Sequence, residues 1–183
     1  MGGVCILVFT EIAQLTVLKT LKKLFGRWGE YKVRVSSYLA LQQAAMRVAK
    51  DNEVIVLEAD YIEDESRVGG CYPVIKIIMI RKGIPTQEEA PTLVHELAHF
   101  YDHADINDRP GGGREPMGEP LIETIAAAIM SELGFSPIGS DDYVKSTSGG
   151  RYETWRDCLE EAKYFSAFSR VKDNLKRDLL KYT

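Results

Sequence analysis

All three histidines of this chain fall between positions 95 and 103. Two of them stand in His95-Glu96-Leu97-Ala98-His99, inside an apolar stretch (Leu93, Val94, Leu97, Ala98, Tyr101) whose spacing predicts a helix. Side chains four apart on a helix lie about 40° apart in direction and about 6 Å apart along the axis. Two imidazoles so placed converge on one ion at about 2.0–2.1 Å each. Glu96, rotated by roughly 100° from His95, flanks such an ion and suits the role of proton acceptor for a water activated there. Histidines in a buried helix need polar partners, which constrains what must pack against it.

A catalytic zinc site takes three protein ligands and keeps one position open. Several residues could be the third. His103 lies a further turn along, about 12 Å from His95 on a continuous helix. Asp105 stands six residues after His99, and Glu119 opens the next helical stretch. Glu123 is the strongest: it is the one ionisable residue in Leu121–Met130, and a lone carboxylate in so apolar a helix is costly unless paired or metal-bound. The alanines at 126–128 also permit close approach of a neighbouring helix. His95, His99 and Glu123 are thus the expected ligands of one Zn²⁺, although manganese, iron or cobalt suit the same donors. Tyr101, His103, Tyr152 and Arg114 are candidates for a second donor to a developing oxyanion. Asp102 is a candidate for orienting a ligand histidine.

The rest of the chain reads as α+β. Helices are predicted over residues 11–25, 37–50, 119–133 and a long 152–180. Strands are predicted at 53–57 and 74–80, and these two are expected to pair. Thr86-Gln87-Glu88-Glu89 resembles a capping box, but Pro91 moves the expected start of the histidine helix to 90–92. Residues 105–118 and 136–150 read as loops. A chain of 183 residues suits one domain. The net charge of −4 argues against a generally nucleic-acid-coating surface. It averages a basic segment, residues 1–52 with eight Lys/Arg against three acids, and an acidic remainder. That segment leaves a nucleic-acid or anionic partner conceivable. Three scattered cysteines, without a signal peptide or membrane span, point to a soluble cytoplasmic protein.

The run Pro91-Thr92-Leu93-Val94-His95-Glu96-Leu97-Ala98-His99 resembles the metal-site helix of ImmA/IrrE-like zinc metallopeptidases, and is especially similar to the metallopeptidase-like domain of ArdC antirestriction proteins. Ile122-Glu123-Thr124-Ile125-Ala126-Ala127 with Leu133-Gly134 is similar to the helix that carries their acidic third ligand. Gly69-Gly70-Cys71-Tyr72 resembles their lead-in to a strand, and Tyr152 with Trp155 resembles a Tyr/Trp pair near the last helix. Residues 1–52 have no such counterpart. The resemblance implies a compact zincin in which a small twisted sheet packs on the active helix, with the glutamate helix behind it. It implies a cytoplasmic, gluzincin-type peptidase of the kind carried by mobile elements, acting on a protein or peptide through Glu96. The sheet's edge strand, expected at 74–80, would bind substrate backbone. The alternative is a catalytically silent, metal-containing binding module that occludes a protein or nucleic-acid partner.

Overall fold

The computed structural model describes residues 37–60, 62, 67–107 and 115–183, all within one compact unit spanning Arg34–Thr183. The expected helix at 11–25 and the basic segment before Ser37 lie outside the described residues. Among the described residues, six α-helices and a small three-stranded mixed sheet make an α+β fold.

Helix α1 (Tyr38–Asp51) starts where Ser37 accepts the Ala40 N–H, and it buries Leu41, Ala44, Ala45, Val48 and Ala49 at helical spacing. Strand β1 (Ile55–Ala59) follows, then β2 (Gly69–Tyr72), a single 3₁₀ turn at Pro73–Ile75, and β3 (Ile77–Arg81). The strand order is β1-β3-β2, with β1 parallel and β2 antiparallel to β3. The expected pairing of the first and last strands is present, but the strand expected at 74–80 begins only at Ile77. Pro73 forces the turn, and Lys76 leaves it in the left-handed region at φ 54°.

Strand β3 is therefore the centre of the sheet, not the edge on which substrate pairing was expected. The edge beside the histidine helix is β2, which Gly69-Gly70 had marked only as a lead-in. Ile78 and Ile80 of β3 are buried toward the helices, while Ile77 and Met79 on the other face stay partly exposed.

Helix α2 (Thr86–Asn107) carries the histidines and begins earlier than its proline suggests. The Pro85 carbonyl accepts from the Glu88 and Glu89 N–H groups, and Thr92 Oγ1 bonds back to the Glu88 carbonyl at 2.7 Å. Pro91 thus sits in the second turn, where one missing N–H is tolerated against a helix whose Leu93, Val94, Leu97 and Ala98 are all fully buried.

Helix α3 (Glu119–Glu132) lies against α2 with Ile122, Ile125 and Ile129 in the main core. Helix α4 (Ser140–Thr147) occupies part of the stretch expected as loop. The long C-terminal helix is in fact two, α5 (Trp155–Ala162) and α6 (Ser166–Leu180). Trp155 and Cys158 pack in a small cluster with Ala127, Ala128 and Val144, while Ala162 and then Phe168, Val171, Leu175 and Leu179 join the main core with α1 and α2. No glycine or proline announces the break at 163–165.

Candidate metal centre

The site lies between α2 and the first turns of α3. His95 and His99, one turn apart on α2, turn their Nε2 atoms toward each other at 3.2 Å. Glu119, in the first turn of α3, brings Oε2 to 3.3 Å from His95 Nε2 and 3.4 Å from His99 Nε2. These three atoms form the one group of at least three His, Cys, Asp or Glu donors close enough to share an ion among the described residues. The spacing is informative. Ligands at about 2.0–2.1 Å around a tetrahedral ion are separated by edges of about 3.3–3.4 Å. The triangle of 3.2, 3.3 and 3.4 Å therefore has the dimensions of one face of such a site.

Glu123 is placed differently from the expectation. Its Oε2 meets the other ring nitrogen, His95 Nδ1, at 2.7 Å, while its Oε1 accepts a hydrogen bond from buried Ser140 at the start of α4. Glu119 and Glu123 are four apart and share the face of α3 that meets His95. The earlier one reaches the Nε2 pair, and the later one grips the back of the ring. This is the arrangement by which a carboxylate holds a ligand imidazole in one tautomer and raises its basicity. Apolar context pointed to Glu123, a partly buried carboxylate that meets His95, but it could not tell which edge of His95 that carboxylate faces.

Burial by itself would lower the His95 pKa, but the hydrogen bonds it donates to Glu119 and Glu123 outweigh it and hold the imidazolium up to about 10. Those same bonds to His95 and His99 keep the Glu119 carboxyl well below the usual carboxylate range. Without a metal, a proton on His95 thus supplies the positive charge that this donor set calls for.

Glu96 is 6% exposed, with its carboxylate against β2 at Gly69. Burial raises its pKa, against the lowering pull of His95 and His99. A carboxylate so moved is better suited to accept a proton near neutral pH. Gly69 is what admits it: a Cβ there would stand 2.5 Å from Thr92 Cγ2 and 2.6 Å from Glu96 Oε1. Gly69→Ala is therefore expected to displace Glu96 and to cost about 1–3 kcal/mol by overpacking, measured by urea unfolding. Gly70→Ala, whose Cβ meets nothing nearer than 3.4 Å, is the control expected to cost less.

The other candidates are engaged elsewhere. Tyr101 lies on the far side of α2, where it donates to Asp178 Oδ2 at 2.6 Å and accepts from Asn52 Nδ2 at 3.2 Å. His103 sits past the site, with Nδ1 at 2.9 Å from Asn107 Nδ2. Tyr152 donates to Glu161 at 3.0 Å in the α4–α5 region. Asp105 pairs with Arg170 at 2.9 Å, and Arg114 lies outside the described residues. Asp102 is buried and accepts the Met117 N–H at 2.8 Å, so it anchors the approach to Glu119.

Two contributors escaped sequence reasoning, Ser140 and Tyr143. Tyr143 Oη donates to Glu119 Oε2 at 3.1 Å, and its ring meets His95 edge-to-face, with centroids 5.8 Å apart. Both come from α4, a segment whose glycine, serine and proline content reads as loop. Compared with protein-family models, curated proteins and solved structures, the chain matches none. Among the described residues, no helix is long and apolar enough to cross a membrane.

Proposed function

We propose that this protein is a zinc-dependent peptidase of zincin type, with His95, His99 and Glu119 as metal ligands and Glu96 as the general base. The observation that carries the proposal is the Nε2–Nε2–Oε2 triangle with tetrahedral-face dimensions, directly beside a buried carboxylate held one residue along the same helix. The resemblance of residues 91–99 to the ImmA/IrrE-like and ArdC metal-site helix points the same way, as does a helix-backed sheet beside them.

A divalent ion in the triangle would supply a Lewis acid and a water acidified enough to attack at neutral pH. The chain's own residues do the rest. Glu123, fixed by Ser140, keeps the Nδ1 proton on His95 and so leaves the Nε2 lone pair for the triangle. Glu96 takes a proton from the attacking water and delivers it to the leaving amine, after which the site is ready again. Strand β2 pairs with β3 along one edge and lies against α2 at Gly69. It replaces 74–80 as the strand on which an extended peptide would be held by backbone hydrogen bonds.

The test is metal content and proteolysis measured together. Purified protein is expected to hold about one zinc per chain by elemental analysis and to cleave fluorescein-labelled casein. Glu96→Gln is expected to keep the zinc and the melting temperature while activity falls by about 10²–10⁴-fold. Cleavage unaffected by Glu96→Gln would overturn the mechanism. Zinc-loaded wild type without hydrolysis would instead favour a binding module.

A further inference from the structure

We propose that Tyr143 is a further catalytic residue: its phenol hydroxyl is the hydrogen-bond donor that meets the oxygen gaining negative charge when a peptide carbonyl is attacked. This rests on the peptidase reading above and deepens it.

The hydroxyl lies 3.1 Å from Glu119 Oε2, the same oxygen that lies 3.3 and 3.4 Å from the two Nε2 atoms. A group bordering that oxygen also borders whatever reacts next to it. The ring is aimed by its edge-to-face contact with His95, with planes crossing at 88°. Helix α4 adds rigidity, because buried Ser140 one turn earlier is bonded to Glu123. The tyrosine is 41% exposed, so it stands at the solvent boundary of the site rather than behind it. Glu96 is backed by β2 and Tyr143 comes from α4, so proton acceptor and hydrogen-bond donor are supplied by different elements.

The chemistry favours a neutral donor. A phenol ordinarily loses its proton only near about pH 10, so at neutral pH it is a neutral hydrogen-bond donor. The oxyanion is a stronger acceptor than a carboxylate already shared with two histidines, and a charge-assisted bond to it forms at the expense of the bond to Glu119. As water oxygen bonds to the carbonyl carbon, the C=O π pair moves onto the carbonyl oxygen and the water's proton goes to Glu96. Tyr143 donates a hydrogen bond to that oxygen without giving up its proton. Collapse restores C=O, the C–N pair leaves with the amine, and Glu96 protonates it. A donor made only in the transition state raises kcat without tightening substrate binding.

The experiment compares wild type with Tyr143→Phe, which keeps the ring. Zinc content and melting temperature are expected to be unchanged. On labelled casein, kcat is expected to fall by about 10²-fold, within the usual range for loss of one oxyanion donor, while KM moves less than about threefold. A second readout needs no turnover: cobalt-substituted protein is titrated with phenylphosphonate, whose tetrahedral anionic oxygens imitate the adduct, and followed by visible absorption. Tyr143→Phe is expected to weaken that binding by about tenfold or more. Equal kcat together with equal phenylphosphonate affinity would overturn the proposal. A KM rise with kcat unchanged would also overturn it, by making Tyr143 a substrate-binding residue. If wild type loads cobalt but does not cleave casein, the peptidase reading fails while the phenylphosphonate comparison still decides Tyr143. If it loads no cobalt, both fail.

Discussion

Glu119→Gln is expected to lower zinc affinity more than about 100-fold, whereas Glu123→Gln lowers it by about 10–100-fold, the usual range for loss of a partner behind a ligand histidine. The difference follows from which edge of His95 each carboxylate meets. Glu119 Oε2 lies 3.3 and 3.4 Å from the two Nε2 atoms, and an amide there supplies only a weak neutral oxygen in place of an anionic ligand. Glu123 accepts from Nδ1 at 2.7 Å, and a glutamine oxygen can still accept that hydrogen bond. Competition with a fluorescent zinc chelator at fixed pH measures both constants. The order is decisive, because apolar context by itself favours Glu123 as the ligand. A larger loss in Glu123→Gln than in Glu119→Gln would restore the sequence-based assignment.

The metal-free protein is expected to lose stability steadily as pH rises from about 6.5 to about 10, by an amount on the order of a few kcal/mol. The sign follows from the protons. His95 in the folded chain is held protonated up to about 10 by Glu119 and Glu123, against its burial, while an unfolded histidine titrates near about 6.5. Across that window the folded state binds the extra proton, so its stabilisation is complete below the window and is lost through it. Glu96, raised by burial, adds a slope of the same sign beginning nearer about 4.5. Glu119, held low by the histidines, acts oppositely and withdraws its stabilisation only as pH falls below about 4.5. Urea unfolding of chelator-treated protein at pH 6, 8 and 10 reads the slope. His95→Gln is expected to flatten it, and saturating zinc is expected to do the same above neutrality, because zinc replaces the proton on Nε2. Equal stability at pH 6 and pH 10 in the metal-free wild type would rule out a protonated His95.

Much of the fold follows from local chemistry. Ser37 and the alanine-rich stripe after it set α1 to within one residue of its sequence reading. Glu119-Pro120 opens α3 where a first-turn proline and acid belong. The failures share a cause: they occur where a remote surface overrides a local pattern. Pro91 stays inside α2 because the fully buried face of that helix outweighs one missing hydrogen bond. The stripe at 152–180 is continuous in sequence, yet its start also packs in a second cluster, with Ala127, Ala128 and Val144, and the helix breaks between Ala162 and Ser166. Residues 140–147 look like loop, yet buried Val144 and Ser140 hold them as a helix against α3.

The site divides along the same line. Spacing four apart on one helix is local geometry, so His95, Glu96 and His99 were legible from the chain alone, and so was the need for a carboxylate from a second apolar helix. Which carboxylate faces the Nε2 pair depends on the rotation and offset of α3 against α2, and that is set by Ile122, Ile125 and Ile129 fitting the core. The same packing turns Glu123 to Nδ1, brings Ser140 beneath it and lays Tyr143 over the site. Residues 17, 24 and 28 positions apart meet there through side-chain packing between helices, and no periodicity in the chain encodes that meeting.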